Sequence, residues 1–464
     1  MFTYLLLYAI LFVPYLVLAM RRKMILTPIG LLCLFNALSL VGIATVIDPM
    51  YDIDMRYGLF MTLMASIVTG AALVWTLSNL SRRPVRTENG VKSLPIDGPI
   101  VGAYVICLIL TGAYYAAVGH VTLVEAFVGG SGYDAASARL DSYAGPSYFA
   151  PGYINQFKNA LLPVLTVVII HRLWTRRALY RTAITCGLVG VCLVATAGTG
   201  QRGATVLVML SVIIALRMGG LLKGSRFVVA SGVIFSIFSF LTLLTGRSAN
   251  DLAVADGPLS KIQVFLNALL SRVLGEQALS GLAGFRYTHN LPTANGSEWA
   301  TDILGILPSY RGSDLSSQIF SSLYGSNRGT SPPSNWGSAY YNFGFIGSLF
   351  VCAAVCAIYA FASSKLFLEK KSSFRERNMM EIMGLAGFAV SVGSWIVGSP
   401  LTLLNQGAAA YLLVYLWGSK KSRLARAGEN AQTPARGDRE RADGRRSSRP
   451  RAASAEIRTK GLTP

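Results

Sequence analysis

The chain has 464 residues, 52% of them hydrophobic and only 14% charged, with a formal net charge of +20. Apolar runs of about 18 or more residues recur along it, which marks a polytopic, all-α membrane protein and excludes a soluble domain built on one large core. The basic excess does not point to nucleic acid, because the cations sit in short clusters between apolar runs and in the C-terminal tail.

In chain order, about eleven spans are expected, at 2–20, 25–47, 57–78, 99–118, 156–171, 182–198, 204–219, 227–245, 339–362, 379–398 and 402–418. The sixth and seventh are short, so they are tilted, kinked or partly buried in protein. The first has no basic segment ahead of it, and Arg21, Arg22 and Lys23 follow it. That is the reverse of a signal peptide and reads as a retained helix with its N-terminus outside. Arg21/Arg22/Lys23, Arg82/Arg83/Arg86/Lys92, Arg172/Arg176/Arg177/Arg181, Arg217/Lys223/Arg226 and Lys365/Lys370/Lys371/Arg375/Arg377 occupy every second loop. Those loops, and the C-terminus, are therefore expected on the cytoplasmic side. The Arg-, Ala- and Ser-rich tail, 425–464, is expected to be disordered and to lie on anionic headgroups. Cys33, Cys107, Cys186, Cys192, Cys352 and Cys356 all fall in apolar spans without metal-ligand spacing, so neither disulfides nor a metal site are expected.

Two outside loops are long, about 119–155 and 246–337, and long loops in compact folds carry function or are disordered. The second holds Trp299, Trp336 and several tyrosines. Ser260 and Gln263 form a capping-box pattern ahead of apolar residues at helical spacing, which predicts an amphipathic helix at the bilayer interface. Shorter helices are expected from Ser297 to Leu307, ahead of Pro308, and around Leu315, Ile319 and Leu323.

The sharpest local feature is Gly198-Thr199-Gly200-Gln201-Arg202-Gly203-Ala204, which breaks an apolar tract between two spans. Glycines bare the backbone to a close partner, and charge at membrane depth marks a functional site. On the outside face Arg202 is joined by Arg247, Arg272, Arg286, Arg311 and Arg328, by His289, and by Glu276, Glu298 and Asp302. Arginine recognises phosphate oxygens through forked, charge-assisted hydrogen bonds. Such a set suits a diphosphate leaving group, with a carboxylate or His as base for an acceptor hydroxyl. Plainer readings stand beside these. Arg202 is either a phosphate contact or a snorkelling helix anchor. Arg272 and Glu276 are either functional or an i, i+4 pair on a solvated helix face. His289 is a base or an ordinary loop residue, Asp302 a base or a first-turn helix charge, and Trp299 and Trp336 are sugar platforms or interfacial anchors.

Three stretches resemble the Wzy-type oligosaccharide repeat-unit (O-antigen) polymerases. Ala197 through Ala204 looks like the family's small-residue/Arg/Gly motif opening a span. Gly296 through Pro308 looks like the Leu-Pro segment of the large periplasmic loop. Ser331 through Gly347 looks like the entry to the next span, where Tyr-x-Asn-Phe-Gly-x-x-Gly is typical. Many relatives carry Glu two residues before that Tyr, where this chain has Ser338. The paired Arg-x10-Gly motifs of some relatives are not evident. The resemblance implies a glycosyltransferase-C-type membrane fold in the bacterial inner membrane, with no metal or cofactor. Its substrates would be undecaprenyl-diphosphate-linked oligosaccharides, with a chain-length regulator as a possible partner. Arg202 with one or more of Arg272, Arg286, Arg311 and Arg328 would hold the diphosphate. Glu276, Asp302 or His289 would act as base, and Asn335, Trp336, Tyr340 and Asn342 would orient sugar. An O-antigen ligase shares this chemistry. A flippase or transporter would instead place ionisable residues at mid-membrane, and the spans are nearly free of them.

Overall fold

The computed structural model describes residues 2–85, 91–128, 151–200, 202–222, 224–244, 257, 260, 263–264, 266–267, 274–307, 310, 312–326, 329–369 and 377–432. The fold is almost wholly helical. Among the described residues six helices are long and apolar enough to cross a membrane: Thr3–Arg22, Pro28–Val46, Asp52–Ser78, Gly98–Val118, Gly152–Thr175 and Asn335–Leu366. Three shorter apolar helices, Arg181–Ala197, Gly203–Met218 and Met379–Gly393, fall where further spans are expected.

Two expectations are corrected by backbone geometry. Along 379–398 the helix runs only as far as Gly393. That helix is buried almost all round, as a core helix is and a lipid-facing span is not. Glycines let its neighbours close on it: a Cβ at Gly384 would lie 2.5 Å from the Tyr415 amide nitrogen, and one at Gly387 2.0 Å from the Tyr411 ring. The run 402–418 is also divided, into Leu401–Asn405 and Ala408–Gln432, by Gly407 at φ +88°. The last helix runs on to Gln432, so the boundary expected at 425 falls inside a helix. Residues 433–464, most of the interfacial helix expected from Ser260, and 129–150 of the first long loop lie outside the described residues.

The loops bearing the basic clusters meet at one end of the helices. Arg83–Pro84 pairs antiparallel with Leu368–Glu369. The Lys92 amide donates to the Arg377 carbonyl, and Arg172 Nη1 donates to Ser93 Oγ at 3.0 Å. Lys23, Val85, Arg217 and Phe367 line one cavity there. This convergence is what the alternation of charge along the chain requires.

The other end is organised by a break. The helix Asn335–Leu366 is capped by Ser334, whose hydroxyl accepts from the Gly337 amide, and is interrupted at Gly344, with φ 68° and ψ −175°. That region of backbone space is open essentially to glycine alone. The carbonyls of Tyr341 and Asn342, whose helical partners would lie across the break, accept instead from the amides of Ala294 (2.9 Å) and Gly296 (3.0 Å). The break thus holds the segment that leads into the short helix Ser297–Leu304. No neighbouring atom lies within 4 Å of a Cβ placed on Gly344, so backbone strain alone opposes a side chain. Gly344→Ala is expected to cost about 1–3 kcal/mol, read as a lower unfolding midpoint in detergent. It should also make 294–304 more accessible to protease, whereas a substitution at the open Gly70 should not.

Candidate functional site

The helix Ser297–Leu304 follows Gly296, which adopts φ +82°, and carries Glu298 in its first turn and Asp302 near its last. These residues stand four apart and so share one face. That face meets the N-terminal segment of the broken helix. The Asn342 side chain joins the two: its Oδ1 accepts from the Trp299 amide (3.2 Å), and its Nδ2 donates to Glu298 Oε2 (2.8 Å) and to the Ser338 carbonyl (2.9 Å). The Trp299 indole N–H donates to Ser338 Oγ at 2.8 Å. Burial pushes the Glu298 carboxyl above its usual range. The Asn342 and Ser313 bonds oppose this, the nearby Asp302 adds to it, and Ser338 opposes it weakly.

Aromatic rings line the junction. Trp299 meets Phe343 edge-on at 5.1 Å and Trp395 at 6.4 Å, and Trp395 meets Trp336 at 5.8 Å. Trp336 is 0% exposed, and its indole N–H donates to Asn36 Oδ1 at 2.7 Å. Asn335 Nδ2 donates to the Trp395 carbonyl at 2.9 Å. Both residues are therefore sealed in the core and cannot touch a sugar, contrary to the sequence expectation. Asn342 is buried as well, and its role is to hold Glu298 and Trp299. Trp299 remains half-buried. Tyr340 packs on Phe60 and Phe285.

Asp302 is not a first-turn charge. It lies in the last turn, where the helix dipole disfavours an anion, and its oxygens accept from the Ser399 hydroxyl and, at 3.4 Å, from the Ser313 amide. Ser399 precedes the short helix Leu401–Asn405. Within that helix, the Leu404 carbonyl accepts from the Gln156 side-chain amide. Gln156 opens a π-helical turn, Gln156–Leu161, which contains the fully buried Lys158. Neither Lys158 nor the pairing of Glu298 with Asn342 is expected from the sequence. Lys158 looks there like one more polar residue at a span's start, and nothing in the sequence reveals a π turn.

The other expected residues separate. Glu276 and His289 stand at opposite ends of the helix Glu276–His289, roughly 20 Å apart at about 1.5 Å per residue, so they cannot serve one reacting atom. His289 is the last residue of that helix rather than a loop residue. It stacks on Phe285 at 5.7 Å, and its Nδ1 is buried without a hydrogen-bond partner. Arg286 is committed elsewhere: Nε and Nη2 donate to Asp54 Oδ1 and Oδ2 at 2.7 and 2.6 Å. Arg202 begins the helix Arg202–Met218, and its side chain is outside what the structure describes, as are Arg272, Arg311 and Arg328. The glycine before it has a definite partner. A Cβ at Gly198 would sit 2.3 Å from the Tyr115 hydroxyl, which donates to the carbonyls of Val194 (2.9 Å) and Ala195 (3.2 Å).

Asp54 is 0% exposed whereas the Arg286 side chain is 45% exposed. Removing the cation leaves the buried carboxylate with no counter-charge and the Asp48 amide as its remaining donor, which costs about 3 kcal/mol. Arg286→Met should therefore lower the unfolding midpoint, and the double change with Asp54→Asn should recover most of the loss. Equal stability of Arg286→Met and wild type would contradict this placement.

No family model, no curated protein and no solved structure matches the chain.

Proposed function

We propose that the protein is a membrane glycosyltransferase that polymerises undecaprenyl-diphosphate-linked oligosaccharide units on the outer face of the bacterial inner membrane. The observation that carries this reading is Glu298, a carboxylate partly withdrawn from water, bonded to Asn342 beside the half-buried Trp299. In many of the resembling polymerases a Glu occupies the place of Ser338. Here the docked helix brings Glu298 to the same turn, since Asn342 Nδ2 bridges Glu298 Oε2 and the Ser338 carbonyl.

In this reading Glu298 takes the proton of an acceptor sugar hydroxyl as its oxygen bonds to the anomeric carbon of the growing chain. The bond from that carbon to the diphosphate breaks, and undecaprenyl diphosphate leaves with the electron pair. Arg202, at the opening of its helix, neutralises the departing charge. Asp302, fixed by Ser399 and Ser313, holds the base-bearing helix in place. The convergent basic loops face the cytoplasm, as does the C-terminus, and the N-terminus lies outside. The count of about eleven spans belongs to this reading as well. A broken helix also suits a transporter, whose freed carbonyls coordinate ions. Here the Tyr341 and Asn342 carbonyls are already occupied by amides of the same chain, which favours an enzyme.

Deleting the gene should leave a surface glycan with a single repeat and no ladder. Loss of every repeat would favour a ligase or flippase, and an unchanged ladder would remove the proposal. Glu298→Gln should lower the polymerisation rate about 10²–10⁴-fold at unchanged membrane abundance.

The pH profile gives an independent check. A base must be ionised, so activity falls as pH drops through its pKa. Since the Glu298 carboxyl is raised, the acid limb should lie above the ordinary glutamate value of about 4.3. Asp302→Asn removes a contribution that raises it and should shift that limb to lower pH. A shift to higher pH would contradict the assignment.

A further inference from the structure

The end of the helices where the basic loops meet holds a cavity of about 80 Å³, whose wall includes Lys23, Leu26, Val85, Arg217, Met218 and Phe367. One water takes roughly 10–15 Å³ on this scale, so a group the size of a phosphate fits. Two cations and apolar carbon thus face one space. Thr27, also in the wall, has its hydroxyl engaged: it donates to the Met24 carbonyl at 2.8 Å and accepts from the Gly30 amide. Arg217 Nη1 donates to the Leu222 carbonyl at 3.0 Å, and its guanidinium lies 5.6 Å from the Phe227 ring. Both contacts fix the side chain, and neither removes its charge. Among the described residues no carboxylate pairs with Lys23 or Arg217. Glu369, two residues beyond Phe367, is bonded to Arg377. A cleft lined by one sign of charge concentrates the opposite ion.

The backbone at Lys23 is a second, independent observation. The first helix stops with Lys23 at φ +59°. The Met24 amide reaches back to the Ala19 carbonyl at 2.8 Å, and the Lys23 amide to the Met20 carbonyl at 3.1 Å. This is the left-handed helix stop whose ordinary occupant is glycine. A lysine there carries a backbone cost, and what the position gains in return is the side chain. The same helix exposes Leu6, Ile10, Val13, Val17 and Met20, spaced three and four apart and so on one face. Met20 ends this apolar stripe one turn before Lys23. A lipid lying along the stripe has its headgroup level with Lys23.

We propose that this cavity binds the phosphate of an anionic glycerophospholipid. Lys23 and Arg217 donate to the phosphate oxygens. Leu26, Val85, Met218 and Phe367 cover the glycerol carbons, and an acyl chain lies on the first helix. Basic pockets between membrane helices take headgroups of this kind. Free phosphate offers the same oxygens but nothing for the apolar wall or the stripe. The bound lipid ties the end of the first helix to the end of the helix Arg202–Met218, so binding stabilises the fold. The inference needs a chain embedded in a bilayer and does not depend on the polymerase reading.

The test uses purified full-length protein in an uncharged detergent, with the unfolding midpoint measured against added phosphatidylglycerol, phosphatidylcholine and inorganic phosphate. Wild type should be stabilised by phosphatidylglycerol and much less by the other two. Lys23→Gly should keep or raise the lipid-free midpoint, because glycine suits the left-handed stop. It should bind phosphatidylglycerol about fivefold more weakly, the scale of one basic residue at an anionic surface. Lys23→Arg keeps the charge and should keep the affinity. Arg56→Gln removes an exposed cation paired with Asp52 on another helix and should leave the affinity unchanged. Arg217→Gln should weaken binding as Lys23→Gly does, and Lys23→Gly carries the test if that variant does not fold. An undiminished response in Lys23→Gly, or an equal loss in Arg56→Gln, overturns the site. Equal stabilisation by inorganic phosphate overturns the lipid assignment, and equal stabilisation by phosphatidylcholine overturns the preference for an anionic headgroup.

Discussion

The break at Gly344 is the constraint on which the candidate site depends. One residue in a backbone region that side chains avoid interrupts a long apolar helix, and two carbonyls at the break take amides from the loop before it. Backbone hydrogen bonds carry no side-chain specificity, so neighbouring residues set the register of docking. Gly296 turns the chain, and Asn342 then engages both Glu298 and the Trp299 amide. A single helix defect thereby becomes a rigid mount for a carboxylate. Desolvation at that mount shifts the acidity of the carboxylate, so fold and chemistry are joined at one contact.

Charge is distributed with a matching economy. Asp54 and Arg286 neutralise each other and tie the helix Glu276–His289 to the helix Asp52–Ser78. Asp302 is satisfied by Ser399 and Ser313. The Lys158 ammonium meets Asn159 Oδ1 and the Tyr114 ring. The link Asp302–Ser399, the helix Leu401–Asn405, and Leu404–Gln156 connect the carboxylate face to the turn that holds this cation.

The mostly helical, membrane-spanning character was legible in the sequence, because span length is a strong signal. The helices around Ser297 and Leu315 were also legible from their apolar spacing, although the first ends at Leu304 rather than at the expected Leu307. What escaped was set by tertiary contact. The helix Met379–Gly393 is buried among other helices, which composition does not distinguish from lipid exposure. The motif Tyr-x-Asn-Phe-Gly marks the stretch that holds the helix break, but the sequence does not show which of its residues are buried. Burial makes Asn335 and Trp336 core, and Asn342 a brace. Arg286 looked available for phosphate because its partner, Asp54, is 232 positions away in the chain. Glu298 was visible only as one carboxylate among several, since its bond to Asn342 spans 44 positions.

The most direct measurement is reconstitution of the purified protein with a single synthetic undecaprenyl-diphosphate oligosaccharide. Products lengthened by whole repeats are expected, with one undecaprenyl diphosphate released for each new glycosidic bond, and both should be lost in Glu298→Gln. Movement of the lipid across the bilayer without bond formation, or undiminished elongation by Glu298→Gln, would contradict the assignment of Glu298 as the base of a polymerase.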